Sequence, residues 1–285
     1  MVTINFIKPK LRKLFHRTHL FFQLLSLDIV LGALGGYAFA CKVLDQEISL
    51  SVSIILAVAV WITYISDHLL DTLSAVNQSK YAFFSKNRRF FLIFLTLLSL
   101  AEVFLIFHFL TLMLIFTGML IGSGLFIYLF LQHFIKGRLR RFFPKEILIS
   151  SIYIFAVWFY PLAITTRLPK EPIVLILLHF ILVYSNVSLF SYFEREKDTM
   201  NLQFSLLTML NEKKLKFIIL SIIVLGFMLS AYLVVFENLL SAMFLLIIFT
   251  IYLFVLVYSE NDQVRKRYAD ITDGSFLIFL LFLFL

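Results

Sequence analysis

Apolar residues run along this chain in long blocks, broken by short polar and charged clusters. A helix crossing a bilayer needs about 20 mostly apolar residues, and the blocks that meet this are 20–41, 48–66, 90–108, 110–132, 147–166, 172–193, 215–236, 239–259 and 270–285. The last is short and ends within its apolar run, so it is expected to tilt or insert only in part. The pattern predicts an all-α, polytopic membrane bundle of about nine helices in a single domain over residues 1–285. A basic segment, 1–19, precedes it, and the longest connections are 67–89 and 194–214.

Charge tests this division independently. With the amino terminus placed in the cytoplasm, every Lys and Arg except Lys42, Arg167 and Lys170 falls on the cytoplasmic side. A wrong span count would scramble that asymmetry, so the excess of positive charge on one side supports both the count and the orientation. Composition agrees: 61% of residues are hydrophobic and 15% charged, against about 45–50% and 25% in soluble domains. The expected setting is a bacterial cytoplasmic membrane, with membrane lipid as solvent. In a soluble protein the net charge of +8 would suggest nucleic acid. Here its distribution between loops accounts for it, and no nucleic-acid partner is expected. The single cysteine, Cys41, excludes an intrachain disulfide.

Small residues four apart let helices approach closely. Gly32 and Gly36 in the first span, and Gly118 and Gly122 in the fourth, therefore read as helix-packing sites.

The candidate chemistry lies at two span ends. Asp67 and Asp71 close the second span, and Glu194 and Asp198 close the sixth; spaced four apart, each pair shares one helix face. The topology puts both pairs on the cytoplasmic side, facing one cavity. Mg²⁺ takes oxygen ligands and is typically held by one or two carboxylates plus substrate phosphates, so Asp67, Asp71, Glu194, Glu196 and Asp198 are candidate metal ligands for a bound diphosphate. Arg195, Lys197 and Lys80 are candidate phosphate contacts. The competing reading of 194–198 is a salt-bridged surface turn.

Other polar residues lie inside spans, where an ionisable group is a functional-site hypothesis by default. Asp28 either lines the cavity or reaches out to the interface. Glu102, deeper, is expected to make a structural hydrogen bond. His179, Tyr184 and Asn186 are expected to bond between helices, with Asn186 a second candidate for facing a substrate.

At these acidic residues the chain resembles the UbiA superfamily of intramembrane prenyltransferases, which has nine helices and two acidic motifs at the ends of helices two and six. Asp67 and Asp71 fit the last two acids of the first motif, N-D-x-x-D-x-x-x-D. Thr63 and Tyr64 stand at its leading Asn and Asp. Glu194, Glu196 and Asp198 fit the D-x-E-x-D part of the second motif, with Phe190 and Ser191 at its leading pair. The resemblance implies Mg²⁺, a polyprenyl diphosphate donor and a lipophilic, often aromatic, acceptor, with Asp67, Asp71, Glu194 and Asp198 catalytic. The replaced leading residues motivate one alternative, a non-catalytic lipid-binding or scaffold relative; a multi-span transporter is the other.

Overall fold

A computed structural model describes residues 22–72, 79–134, 145–166, 170–196, 207, 209–237 and 239–284. The described residues form an all-helical bundle. Its helices are α1 (Leu27–Val43), α2 (Leu50–Asp71), α3 (Ser79–Lys86), α4 (Arg88–Phe109), α5 (Leu112–Phe134), α6 (Lys145–Ile164), α7 (Lys170–Phe193), α8 (Glu212–Phe236), α9 (Leu240–Val257) and α10 (Asp262–Ser275). A 3₁₀ helix, Phe276–Leu283, continues directly from α10. Among the described residues seven helices, α2 and α4 to α9, are long and apolar enough to cross a membrane. Several start at side-chain caps: Ser49 accepts from the Val52 N–H, Asn211 from Lys214 and Asn261 from Gln263. Such caps satisfy amide donors that the first helical turn leaves open.

The first and ninth spans depart from the expected pattern together. α1 has 17 residues, at the short end of what a crossing needs. The ninth element starts at Asp262, eight residues before the expected block, as a polar helix, and only its continuation is apolar. That continuation is 3₁₀, with three residues per turn and about 2 Å of rise per residue. Its eight residues therefore reach about 16 Å inward, against about 12 Å in an α-helix. The three-residue period puts Phe276, Phe279 and Phe282 on one face, and all three are buried.

This phenylalanine ladder lies along α1. A Cβ on Gly32 would stand 3.1 Å from the Phe276 Cβ. One on Gly35 would stand 3.0 Å from both the Phe279 Cβ and the Leu280 amide. Phe39 continues the contact, its ring 4.9 Å from Phe279 and 5.2 Å from Phe282 between centroids. Gly36 admits a different neighbour: a Cβ there would meet the Tyr153 hydroxyl at 2.7 Å, and that hydroxyl donates to the Gly32 carbonyl at 3.2 Å. Gly32 and Gly36 are thus packing positions, as expected.

His179 anchors the same core. It is fully buried, and its Nδ1 accepts from the Trp158 indole N–H at 3.1 Å. The large apolar core joins α1 and the 3₁₀ helix to α6, α7, α8 and α9. A small second cluster, Ile65, Leu69, Phe84 and Phe91, ties α2 to α3 and α4. On the outer side, α4 and α5 turn residues such as Phe104, Phe107, Phe116 and Leu120 outward, where lipid rather than water must meet them.

Gly118 and Gly122 correct the reading from sequence. A Cβ on either meets nothing within 4 Å. Among the described residues no helix closes on this face of α5, because both glycines border a cavity.

Candidate active site

The cavity has a volume of about 530 Å³ and lies between α1, α2, α4, α5 and α6. One stripe of α2 forms a long wall: Val52, Leu56, Ala59, Thr63 and Asp67 recur at the three- and four-residue steps of a single helix face. From Val52 to Asp67 this wall extends about 22 Å at 1.5 Å per residue. Apolar side chains dominate it. Around the cavity as a whole the apolar lining is interrupted by the tyrosines Tyr64, Tyr128, Tyr153 and Tyr160 and by two carboxyl groups, Asp67 at the polar end and Glu102.

Asp67 stands where the stripe reaches the polar end of the bundle. Asp71, one turn further, is buried. Acids from other elements gather at the same end. Tyr64 is within electrostatic range of Asp273, Asp67 and Asp28. Tyr128 is within range of Asp67, Asp71 and Glu146. Glu146, buried in the first turn of α6, accepts a hydrogen bond from Ser191 Oγ at 2.7 Å and so ties α6 to the end of α7. Asn186 Nδ2 donates to Asp273 Oδ1 at 3.1 Å. This is the bond between helices expected of Asn186, and it also sets that residue in the acidic group. Nearby, Ser26 Oγ hydrogen-bonds His68 Nε2 at 2.9 Å, and Gln23 donates to Asp270.

Of the candidates read from the sequence, Asp28, Asp67, Asp71 and Asn186 therefore share one end of the bundle with the cavity. Glu194 follows α7 in a turn, its N–H bonded to the Phe190 carbonyl at 2.9 Å. Glu196 is 82% exposed and pairs with Arg265 of α10 at 3.6 Å, the geometry of a surface turn. Lys197, Asp198 and the side chain of Lys80 lie outside the described residues.

Sequence reasoning missed Glu146, Asp273, Tyr64 and Tyr128 as members of this group. Asp270 and Asp273 carried a signal, since both fall inside the block 270–285, where acids are costly unless buried or paired. Glu146 lies just outside its block and carried none.

Every acid at this end offers hard oxygen donors, the type Mg²⁺ selects. Among the described residues no three His, Cys, Asp or Glu side chains converge closely enough to hold a metal ion. Oxygen donors spread in this way suit a hard cation only where other ligands complete its coordination. Basic residues begin the helices that start at this end: Arg88 and Arg89 of α4, Lys145 of α6, and Lys213 and Lys214 of α8. They form a positive collar around an acidic mouth.

No protein-family model matches the chain, and no curated protein does. A solved structure does. It comes from work on digeranylgeranylglyceryl phosphate synthase in membranes, and it aligns with a TM-score of 0.55 at 13% identity, covering 93% of this chain and 98% of that one. The likeness extends over most of the chain, and at this identity it is a likeness of fold. The protein is similar in helical architecture to that membrane synthase.

Proposed function

We propose that this protein is a UbiA-like prenyltransferase that moves a polyprenyl group from its diphosphate to a lipophilic acceptor within the membrane. The observation that carries the reading is Asp67 at the polar end of a long, apolar-walled cavity. An amphipathic substrate with an anionic head and a hydrocarbon tail matches that arrangement along its whole length. The structural neighbour adds support, since its name describes the synthesis of a geranylgeranylated glyceryl phosphate.

In this reading the tail lies along the α2 stripe and is buried as any apolar surface would be. Asp67 and Asp71 of α2 would hold Mg²⁺ at the diphosphate together with Glu194, and Asp198 is the further ligand that the sequence motif offers. When bound, the metal stabilises the negative charge that builds on the departing diphosphate. The collar of Lys and Arg draws the anionic head to the mouth. The apolar walls keep water from the carbon that loses its leaving group. Tyr64 and Tyr128, beside Asp67, offer ring faces to positive charge developing there.

Metal-dependent binding of geranylgeranyl diphosphate to detergent-purified protein tests this, with Asp67→Asn/Asp198→Asn alongside. Binding that requires both the metal and the acids is the expected result. Equal binding by the variant, or none by the wild type, overturns the reading. A second reading, a lipid-binding relative without turnover, draws on Thr63 and Tyr64 at the leading positions of the first motif. It predicts the same binding with no transfer to any acceptor.

A further inference from the structure

α4 faces lipid along most of its length, and its two buried residues are Phe91 and Glu102. The fold thus withdraws from lipid one carboxyl group in the deeper half of that helix, while its neighbours Leu100, Val103 and Phe104 stay exposed. Glu102 is 9% exposed and lines the cavity. Its Oε2 is buried and has no hydrogen-bond partner among the described residues, so the expected structural hydrogen bond is not made at that atom. Burying an unbonded polar group carries a cost of several kcal/mol in an apolar medium, so such groups are normally hydrogen-bonded.

The position of Glu102 along the bundle separates it from the acidic end. The rings of Trp61 and Phe94 meet at 5.2 Å, which sets these two positions of α2 and α4 level. Glu102 is eight residues beyond Phe94, about 12 Å deeper, and Asp67 is six residues from Trp61 toward the mouth, about 9 Å. The two carboxyl groups therefore stand roughly 20 Å apart along the bundle axis. The tight α4–α5 connection at Leu110–Thr111 puts Gly118 about level with Glu102. Gly118 borders the same cavity and leaves open space where a side chain would stand.

We propose that Glu102 is a recognition site for a hydroxyl group carried by a hydrocarbon ligand, which donates to Oε2 in the deep part of the cavity opposite Gly118. The inference rests on the proposed function only in taking the cavity to be a lipid site. It assigns to that site a polar selectivity distinct from the carboxylates at the mouth. A pocket that hydrogen-bonds a ligand hydroxyl rejects the analogue lacking it, because the buried acceptor is then left unmet.

Neutral probes separate this site from diphosphate binding. Geranylgeraniol and its methyl ether, the second without a donor, are titrated against a fluorescent lipid in metal-free, nanodisc-reconstituted protein. The wild type is expected to prefer the alcohol by about tenfold, the worth of one hydrogen bond to a buried acceptor. Glu102→Leu should lose the preference, and Glu102→Gln, which keeps a carbonyl oxygen in place, should retain most of it. A preference that survives in Glu102→Leu places the hydroxyl elsewhere and overturns the proposal. So does a wild type with no preference, or a leucine variant whose stability changes while its selectivity does not. Because neither probe carries a diphosphate, failure of metal-dependent diphosphate binding would leave this result standing, and the reverse also holds.

Discussion

α7 and α5 are almost equally hydrophobic, with mean hydropathy of 2.3 and 2.2 over their apolar windows, yet half of the α7 window is buried inside the protein against 11% of the α5 window. Hydropathy reports that a helix belongs in the membrane. It does not say whether lipid or protein will cover it, because lipid tails are as apolar as leucine. What separates the two is polar and small side chains with partners. α7 buries His179, Ser185, Asn186, Ser188 and Ser191, and His179, Asn186 and Ser191 bond to other helices. α5 presents Gly118 and Gly122 to empty space. One side of the bundle is a scaffold and the other encloses a chamber, so substitutions on the two sides should fail in different ways.

The largest expected effect is chemical and lies on the chamber side. Asp67→Asn keeps shape but removes charge at the cavity mouth, and should lower transfer by at least about a hundredfold, in line with losing one electrostatic contact to a reacting group. Thermal unfolding in detergent should hardly move. Retained turnover would break the link between chamber and chemistry.

Next comes the scaffold side. At Gly226 a Cβ would lie 2.2 Å from the Phe249 ring, so Gly226→Ala forces a buried aromatic to move. A cost of about 1–3 kcal/mol is expected for such overpacking, read as a lower unfolding temperature with activity per folded molecule preserved. Gly36→Ala should also lower stability, and because it displaces Tyr153 of the cavity wall it should change activity as well. If either variant instead lost activity at full stability, the division into scaffold and chamber would be wrong.

Gly118→Leu sharpens the contrast, because it repeats a glycine replacement where there is room. Stability should stay within about 0.5 kcal/mol of wild type, the range of changes away from packed features. The cavity shortens, so the longest prenyl donors should be disfavoured relative to shorter ones in a competition assay. Ser191→Ala removes one hydrogen bond to Glu146 and should cost about 1 kcal/mol, seen as a slight fall in unfolding temperature with transfer unchanged.

The parts of this fold that are legible in the sequence are those that lipid dictates. Block length and the one-sided distribution of Lys and Arg give the succession of helices and the end of the bundle where Asp67, Asp71 and Glu194 gather. What stays hidden depends on which helix faces which. The glycine pairs of α1 and α5 have identical spacing and opposite surroundings, and only the neighbours tell them apart. Glu146 reaches Asp67's end from a helix whose apolar block starts one residue later. The ninth element is partly concealed by its period. Phe276, Phe279 and Phe282 recur every three residues, a step that suits neither an α-helix nor a strand, and the 3₁₀ geometry that uses it is rare beyond a turn.

The pairing of α1 with that phenylalanine ladder has a consequence for biogenesis. Gln23 and Asp270 meet across 247 residues of chain, and the glycine face of α1 meets its partner across a similar interval. During synthesis α1 leaves the ribosome long before the segment that covers it. Its groove must sit meanwhile against lipid or an insertion factor, and the contact closes only when the Phe276–Leu283 helix docks. Such late, distant contacts slow folding because the loop entropy is lost before they form. A pulse-chase experiment with a cross-link between positions 35 and 280 should therefore show bundle closure as a late, separate event in the maturation of this protein.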